Sequence, residues 1–290
     1  MISVVIIIVA IVSAFLAPGL LLPVNGSTVR GEQDRFLDVL GSRIRYRMVD
    51  HQGPTLIMLH GFGGDLSGWE PLISRIACAK MISLDLIGFG LSDRPPIAYD
   101  LDTQRRYLVA FMDRMNIKNA VLVGTSMGAS IALWTAARSP ERVAGLVLFA
   151  PSAYPGSMRH RWPGDLVYRP GVLNRAMRVV AGSPLYDHLF PRSLGRQALD
   201  VTASYTGAFT EGLNAVHQPL LLVWSRGDQR VPFSYSDRYR ELLPQAQFIE
   251  APREAGHGAA GRPTPEIVDG VCRIAAQSRY QLKTDGSYER

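Results

Sequence analysis

The nine residues 120–128 constrain this chain more than any others. An apolar run, 120–123, passes directly into Gly124-Thr125-Ser126-Met127-Gly128, and a helical pattern begins at once. A buried strand that turns into a helix with no intervening loop needs small residues on both sides of the turn, where a Cβ would collide with the neighbouring backbone. Such a unit suits a parallel sheet with helices on its faces.

The rest of the chain repeats that rhythm. Runs at 36–40 and 44–48 flank Gly41-Ser42 and predict an opening hairpin. Buried strands are predicted at 55–59, 81–86, 120–123, 143–149 and 220–224, with a last one at 247–250. Helical patterns fall at 66–77, 101–115, 127–138, 236–243 and 265–276. The expected fold is a doubly wound, mostly parallel α/β domain over residues 35–278. Residues 152–215 are rich in Arg, Pro and aromatics and hold no strong strand, so they predict an inserted helical cap. Residues 279–290 are expected to form a polar tail.

Residues 2–24 carry no charge. This run is long enough to cross a bilayer as a helix, and longer than the usual apolar stretch of a secretory signal. An uncleaved anchor or a cleaved signal is expected, length favouring the anchor, with residues 25–34 as a linker. Membrane anchoring or export through this segment is the expected localisation.

The net charge of +6 raises the question of an anionic partner. No zinc-finger spacing, RNA-binding signature or Lys/Arg block is present, which argues against nucleic acid. Much of the excess lies in the cap, where seven arginines between 159 and 196 face only Asp165 and Asp187. The first strand is followed by neither GxGxxG nor GxxxxGK[ST], and no metal-ligand spacing occurs, so no cofactor and no metal are expected. The two cysteines, Cys78 and Cys272, sit in apolar contexts and read as small buried hydrophobes. A bridge between them stays open if the domain is exported.

Ser126 at a strand–turn–helix junction is a candidate nucleophile, and a serine hydroxyl needs a base. Of the six histidines, His257 follows the last strand, on a loop that returns to the carboxyl edge where Ser126 lies. His51 and His217 fall at the opposite end, and His160 and His188 in the cap. Asp228, just after the strand at 220–224, is the candidate acid to fix the imidazole. Backbone N–H groups of Met127 and Phe62 are the candidate oxyanion donors, with His60 shaping the Phe62 loop. Tyr154, Trp162 and Tyr168 are candidate walls of the substrate pocket.

With these pieces in order (HGFGG at 60–64, DLIGFGLSDRP at 85–95, GTSMG at 124–128, GDQRVP at 227–232 and AGH at 255–257) the chain resembles the α/β-hydrolase family over residues 35–278. The resemblance implies a Ser126–Asp228–His257 triad and cleavage of carboxylic esters, acylglycerols among them, through an acyl-serine intermediate. It also implies two alternatives: carbon–carbon hydrolysis of dienoic diketone acids, or a non-catalytic binding module. Branches with Asp at the elbow, such as haloalkane dehalogenases, are set aside by Ser126.

Overall fold

The computed structural model describes residues 30–156, 172–181, 183, 185–186 and 194–284. Eight strands occur among them: β1 (Arg35–Val39), β2 (Ser42–Val49), β3 (Thr55–Leu59), β4 (Lys80–Leu84), β5 (Ala120–Thr125), β6 (Val143–Phe149), β7 (Leu220–Ser225) and β8 (Gln247–Ala251). The helices are α1 (Glu70–Ile73), α2 (Leu101–Arg114), α3 (Met127–Arg138), α4 (Val172–Ala181), α5 (Gly195–Ala203), α6 (Gly207–Gly212), α7 (Ser234–Leu242) and α8 (Pro265–Thr284).

All eight strands form one sheet in the order β1-β2-β4-β3-β5-β6-β7-β8. β2 pairs antiparallel with β1 and β4, and every pair from β4 to β8 is parallel. Alternation along the strands explains the two cores. Ile57, Leu59 and Leu122 face one layer with Leu108, Phe111 and Ile131 of α2 and α3. Leu56, Met58, Val121 and Val123 face the other, with Trp69 and with Ile267, Val271 and Ile274 of α8. Successive side chains on opposite faces, both apolar, are the mark of a strand covered on both sides.

β3 has β4 on one flank and β5 on the other, so the chain reverses direction across the sheet there. In open α/β sheets ligands bind outside the carboxyl ends of the strands at such a reversal. Leu59, the last residue of β3, pairs with Gly124. The loop starting at His60 and the turn holding Ser126 therefore leave the sheet at the same level.

Four expectations need correction. Residues 66–77 are not one helix: a 3₁₀ turn at Leu66–Trp69, capped by Asp65 on the Ser67 N–H at 2.8 Å, gives way to α1, which has Pro71 in its first turn. The final helix runs to Thr284, past residue 276 and into the expected tail. The expected linker ends too late, because Asp34 is already core. Its buried carboxylate receives the Arg45 Nε–H and the Gly31 N–H, both at 2.8 Å, and also binds Arg47. Finally, Cys78 and Cys272 form a disulfide with Cα atoms 5.9 Å apart, across 194 residues of sequence. Cys272 lies on α8, which packs under the sheet near the turn that follows α1, and no local pattern announces that meeting.

The inserted segment holds α4, α5 and α6, and no strand among its described residues. The segment 2–24 lies outside the described residues, and among those described no helix is long and apolar enough to cross a membrane.

Candidate active site

Ser126 stands between β5 and α3 at φ 53°, ψ −115°, a conformation that a residue with a side chain rarely adopts. What holds it there is close packing. A Cβ on Gly124 would lie 2.5 Å from the Ala129 nitrogen and the Gly128 carbonyl, and one on Gly128 would lie 2.0 Å from the Leu59 carbonyl oxygen. Only glycine fits at either position. The Ser126 N–H donates to Phe149 O at 2.8 Å, fixing the turn to β6. The Ser126 hydroxyl has no hydrogen-bond partner among the described residues and sits at the N-terminus of a twelve-residue helix, whose unpaired N–H groups favour negative charge.

The loop after β3 leans directly on this turn: a Cβ on Gly61 would be 3.4 Å from Ser126 Cβ. Neither the Phe62 N–H nor the Met127 N–H donates to a protein acceptor among the described residues. Both N–H groups are therefore free to donate to another acceptor. His60 braces the loop from beneath. The Leu86 N–H donates to its Nε2 at 3.1 Å, so the ring proton is on Nδ1, 2.7 Å from Gly61 O. Complete burial pushes its pKa below the usual 6.5, against the opposing pull of Asp85. A neutral imidazole with both nitrogens engaged is a strut, as expected from sequence.

Asp85 acts in the same framework. Its carboxylate accepts the Leu66 N–H at 2.8 Å and the Leu91 N–H at 2.7 Å and pairs with the buried Arg45. Gly90 (φ 53°) allows the loop to close over it, since a Cβ there would lie 2.1 Å from Asp85 Oδ2.

Asp228 and His257 come from the loops after β7 and β8. Asp228 Oδ2 is 2.7 Å from His257 Nδ1, and its side chain is fully buried. The other oxygen, Oδ1, accepts the N–H groups of Arg230 and Val231, both at 2.9 Å. The carboxylate is thus clamped from behind and aimed at the imidazole. The two loops are pressed together: a Cβ on Gly227 would lie 1.9 Å from Arg253 O, and Ser225 Oγ donates to Pro252 O at 2.8 Å. The segments carrying Ser126 and His257 leave the same edge of the sheet, the β5, β6, β7 and β8 ends being paired in sequence, with no hydrogen bond between the two side chains.

A cavity of about 400 Å³ lies beside the loop after β3, lined by Phe62, Trp69, Thr125 and Ala260 among others, with neither Ser126 nor His257 in its lining. Tyr154 is half-buried, packs against Tyr235 and Tyr239 and donates its N–H to the Tyr239 hydroxyl at 3.1 Å. It anchors the base of the cap to α7. Trp162 and Tyr168 lie outside the described residues. Among those described, no group of His, Cys, Asp and Glu converges as a metal site. One contributor escapes sequence reading. The buried Ser130 donates its hydroxyl hydrogen to Ser126 O at 3.2 Å and accepts the N–H groups of Ser152 and Ala153 at 3.0 and 2.9 Å. Its only signal is its place four residues, one helical turn, after the nucleophile candidate.

The comparisons with known proteins agree with this architecture. The family model described as alpha/beta hydrolase fold matches residues 54–189. The pimeloyl-[acyl-carrier protein] methyl ester esterase of Shewanella sp. (strain MR-7) is 30% identical over 232 residues, covering 68% of this chain and 81% of that one. The dihydrolipoyllysine-residue acetyltransferase component of the acetoin cleaving system of Cupriavidus necator is 29% identical over 261 residues, 78% of this chain; the match spans 66% of that relative's length. A haloalkane dehalogenase from Bradyrhizobium elkani superposes with a TM-score of 0.67 at 21% identity, covering 86% of this chain and 99% of that one, a likeness of fold alone. Sheet order, turn geometry and these matches together give one conclusion: the chain belongs to the α/β-hydrolase fold family.

Proposed function

We propose that the chain hydrolyses carboxylic esters through an acyl-Ser126 intermediate. One observation carries this reading: Asp228 is clamped by two backbone N–H groups and aimed at His257 Nδ1, on the sheet edge that presents the strained Ser126. His257 Nε2 takes the Ser126 proton as Oγ attacks the ester carbonyl, and Asp228 stabilises the resulting imidazolium. The carbonyl oxygen becomes an oxyanion held by the Phe62 and Met127 N–H groups. The imidazolium then protonates the leaving alcohol. Water, activated by the same histidine, releases the acid and restores Ser126. The esterase relative supports ester chemistry, and Ser126 in place of an elbow aspartate speaks against dehalogenation.

The test is labelling by a fluorophosphonate probe together with turnover of a panel of p-nitrophenyl esters, acylglycerols and dienoic diketone acids. The expected result is labelling and ester turnover in the wild type, both lost in Ser126→Ala. Persistent labelling of Ser126→Ala overturns the nucleophile. Turnover of the diketone acid with none of the esters replaces ester hydrolysis by carbon–carbon cleavage.

For localisation we propose that residues 2–24 hold the domain at a membrane or direct its export. The Cys78–Cys272 bridge supports a non-reducing compartment for the domain, since thiols stay reduced in most cytosols.

A further inference from the structure

Four large apolar side chains stand well exposed among the described residues, and three belong to the inserted segment: Val172 at 85%, Val179 at 77% and Leu185 at 60%. Val172 and Val179 are two helical turns apart on α4 and share a face, with the exposed Arg175 and Ala176 between them. Met177 and Ala181 are buried against the domain. The sequence groups Val172, Leu173, Met177 and Val180 as one stripe at helical spacing; the structure turns Met177 inward, so a different face meets solvent.

Beside this ridge runs a groove of about 310 Å³, lined by Ala98, Arg175, Arg178, Val179, Arg196 and Asp200. Asp200 sits 2.7 Å from Arg178 Nε and 3.9 Å from Arg196 Nε. Its Oδ2 also accepts the Tyr99 N–H at 3.0 Å. One fixed carboxylate thus serves two guanidiniums, while Arg175 has no carboxylate partner among the described residues. The groove carries three positive charges against one negative, next to side chains that gain by leaving water.

We infer that the outer face of α4 docks on an anionic phospholipid bilayer. A lipid phosphate occupies the Arg175–Arg178–Arg196 groove, and Val172 and Val179 enter the acyl boundary. Guanidiniums suit phosphate oxygens as paired donors, and a basic amphipathic helix lies in an interface with its apolar face down. The bilayer is favoured over a soluble partner by the uncharged run at 2–24. The five residues 25–29 span at most about 17 Å, which keeps the domain close to any membrane holding that run.

The test follows backbone amide exchange of residues 172–181 in the full chain, reconstituted in nanodiscs of phosphatidylcholine alone or with phosphatidylglycerol added. It uses no turnover, so it stands or falls separately from the ester reading. Expected is exchange slower in the anionic discs by about five-fold for each engaged arginine, the difference vanishing at about 0.5 M salt. The double variant R175E/V179D is expected to exchange equally in both discs, with unchanged exchange in the sheet. Equal exchange of the wild type in both discs overturns the inference. So does the same slowing by inorganic phosphate in phosphatidylcholine discs, which marks a site for free phosphate. Slowing that grows with protein concentration, whatever the lipid, assigns the face to a second copy and also overturns it.

Discussion

The Ser130 hydroxyl bonds to the carbonyl oxygen of Ser126, at 3.2 Å, and ties the strained turn to the start of the cap through the Ser152 and Ala153 N–H groups. All of these groups are buried, so Ser130→Ala strands two donors away from water. The expected loss is about 2–3 kcal/mol of stability, read by urea unfolding. The same variant is expected to lower kcat while leaving KM nearly unchanged, because the turn it steadies matters most in the transition state.

Asp228→Asn is expected to cut kcat by about 10³–10⁴-fold with little change in KM. The reason is donor counting. Asp228 receives two backbone N–H groups on Oδ1 and the imidazole N–H on Oδ2, and an amide offers only one acceptor oxygen. Either the clamp meets an NH₂, or His257 is forced into the wrong tautomer. Steady-state kinetics on an ester substrate reads the split.

Removing the bridge by Cys78→Ser with Cys272→Ser frees a loop of 194 residues. The expected destabilisation is about 5 kcal/mol, a fall in Tm of roughly 10–20 °C for a domain of this size. Thermal unfolding with and without reductant checks it: the wild type with reductant is expected to match the double variant.

Acid is expected to weaken the fold in two stages. His60 resists protonation when folded, because burial pushes its pKa below the usual 6.5. The unfolded chain therefore binds a proton that the folded one does not, and stability falls as pH drops below about 6.5. For Asp34, burial pushes the pKa up, but the hydrogen bonds from Arg45 and Arg47 outweigh it and hold the carboxyl below the usual 3.8. Its contribution is complete above that value and is lost as pH falls through the lower, folded pKa. Urea midpoints across pH are expected to show both stages in the wild type, the upper one missing in His60→Gln.

Local pattern carried most of the architecture. The central strands were legible because their apolar runs are continuous and bounded by turn residues, as in 143–149, while the opening hairpin at 36–40 and 44–48 was marked by Gly41-Ser42 between two partly apolar runs. The three candidate site residues stand out in the sequence because glycine marks each strand end: Gly124 and Gly128 flank the turn of Ser126, Gly227 precedes Asp228 and Gly256 precedes His257. What escaped depends on distant partners. Asp34 looked like linker because its arginines lie on β2, and Cys78 looked like an inert hydrophobe because Cys272 is 194 residues away. Ser130 resembles any small helical residue until its carbonyl and amide partners are in place.

The bridge also has a bearing on damage. Ser126 precedes the inserted segment, whereas Asp228 and His257 follow it, so a protease cutting anywhere between 157 and 171 separates Ser126 from His257 along the backbone. Cys78 and Cys272 lie on either side of that cut. The two fragments stay one covalent molecule, still paired through β6 and β7. A nicked enzyme then migrates as a single band until its sulfurs are reduced, and as two bands afterwards.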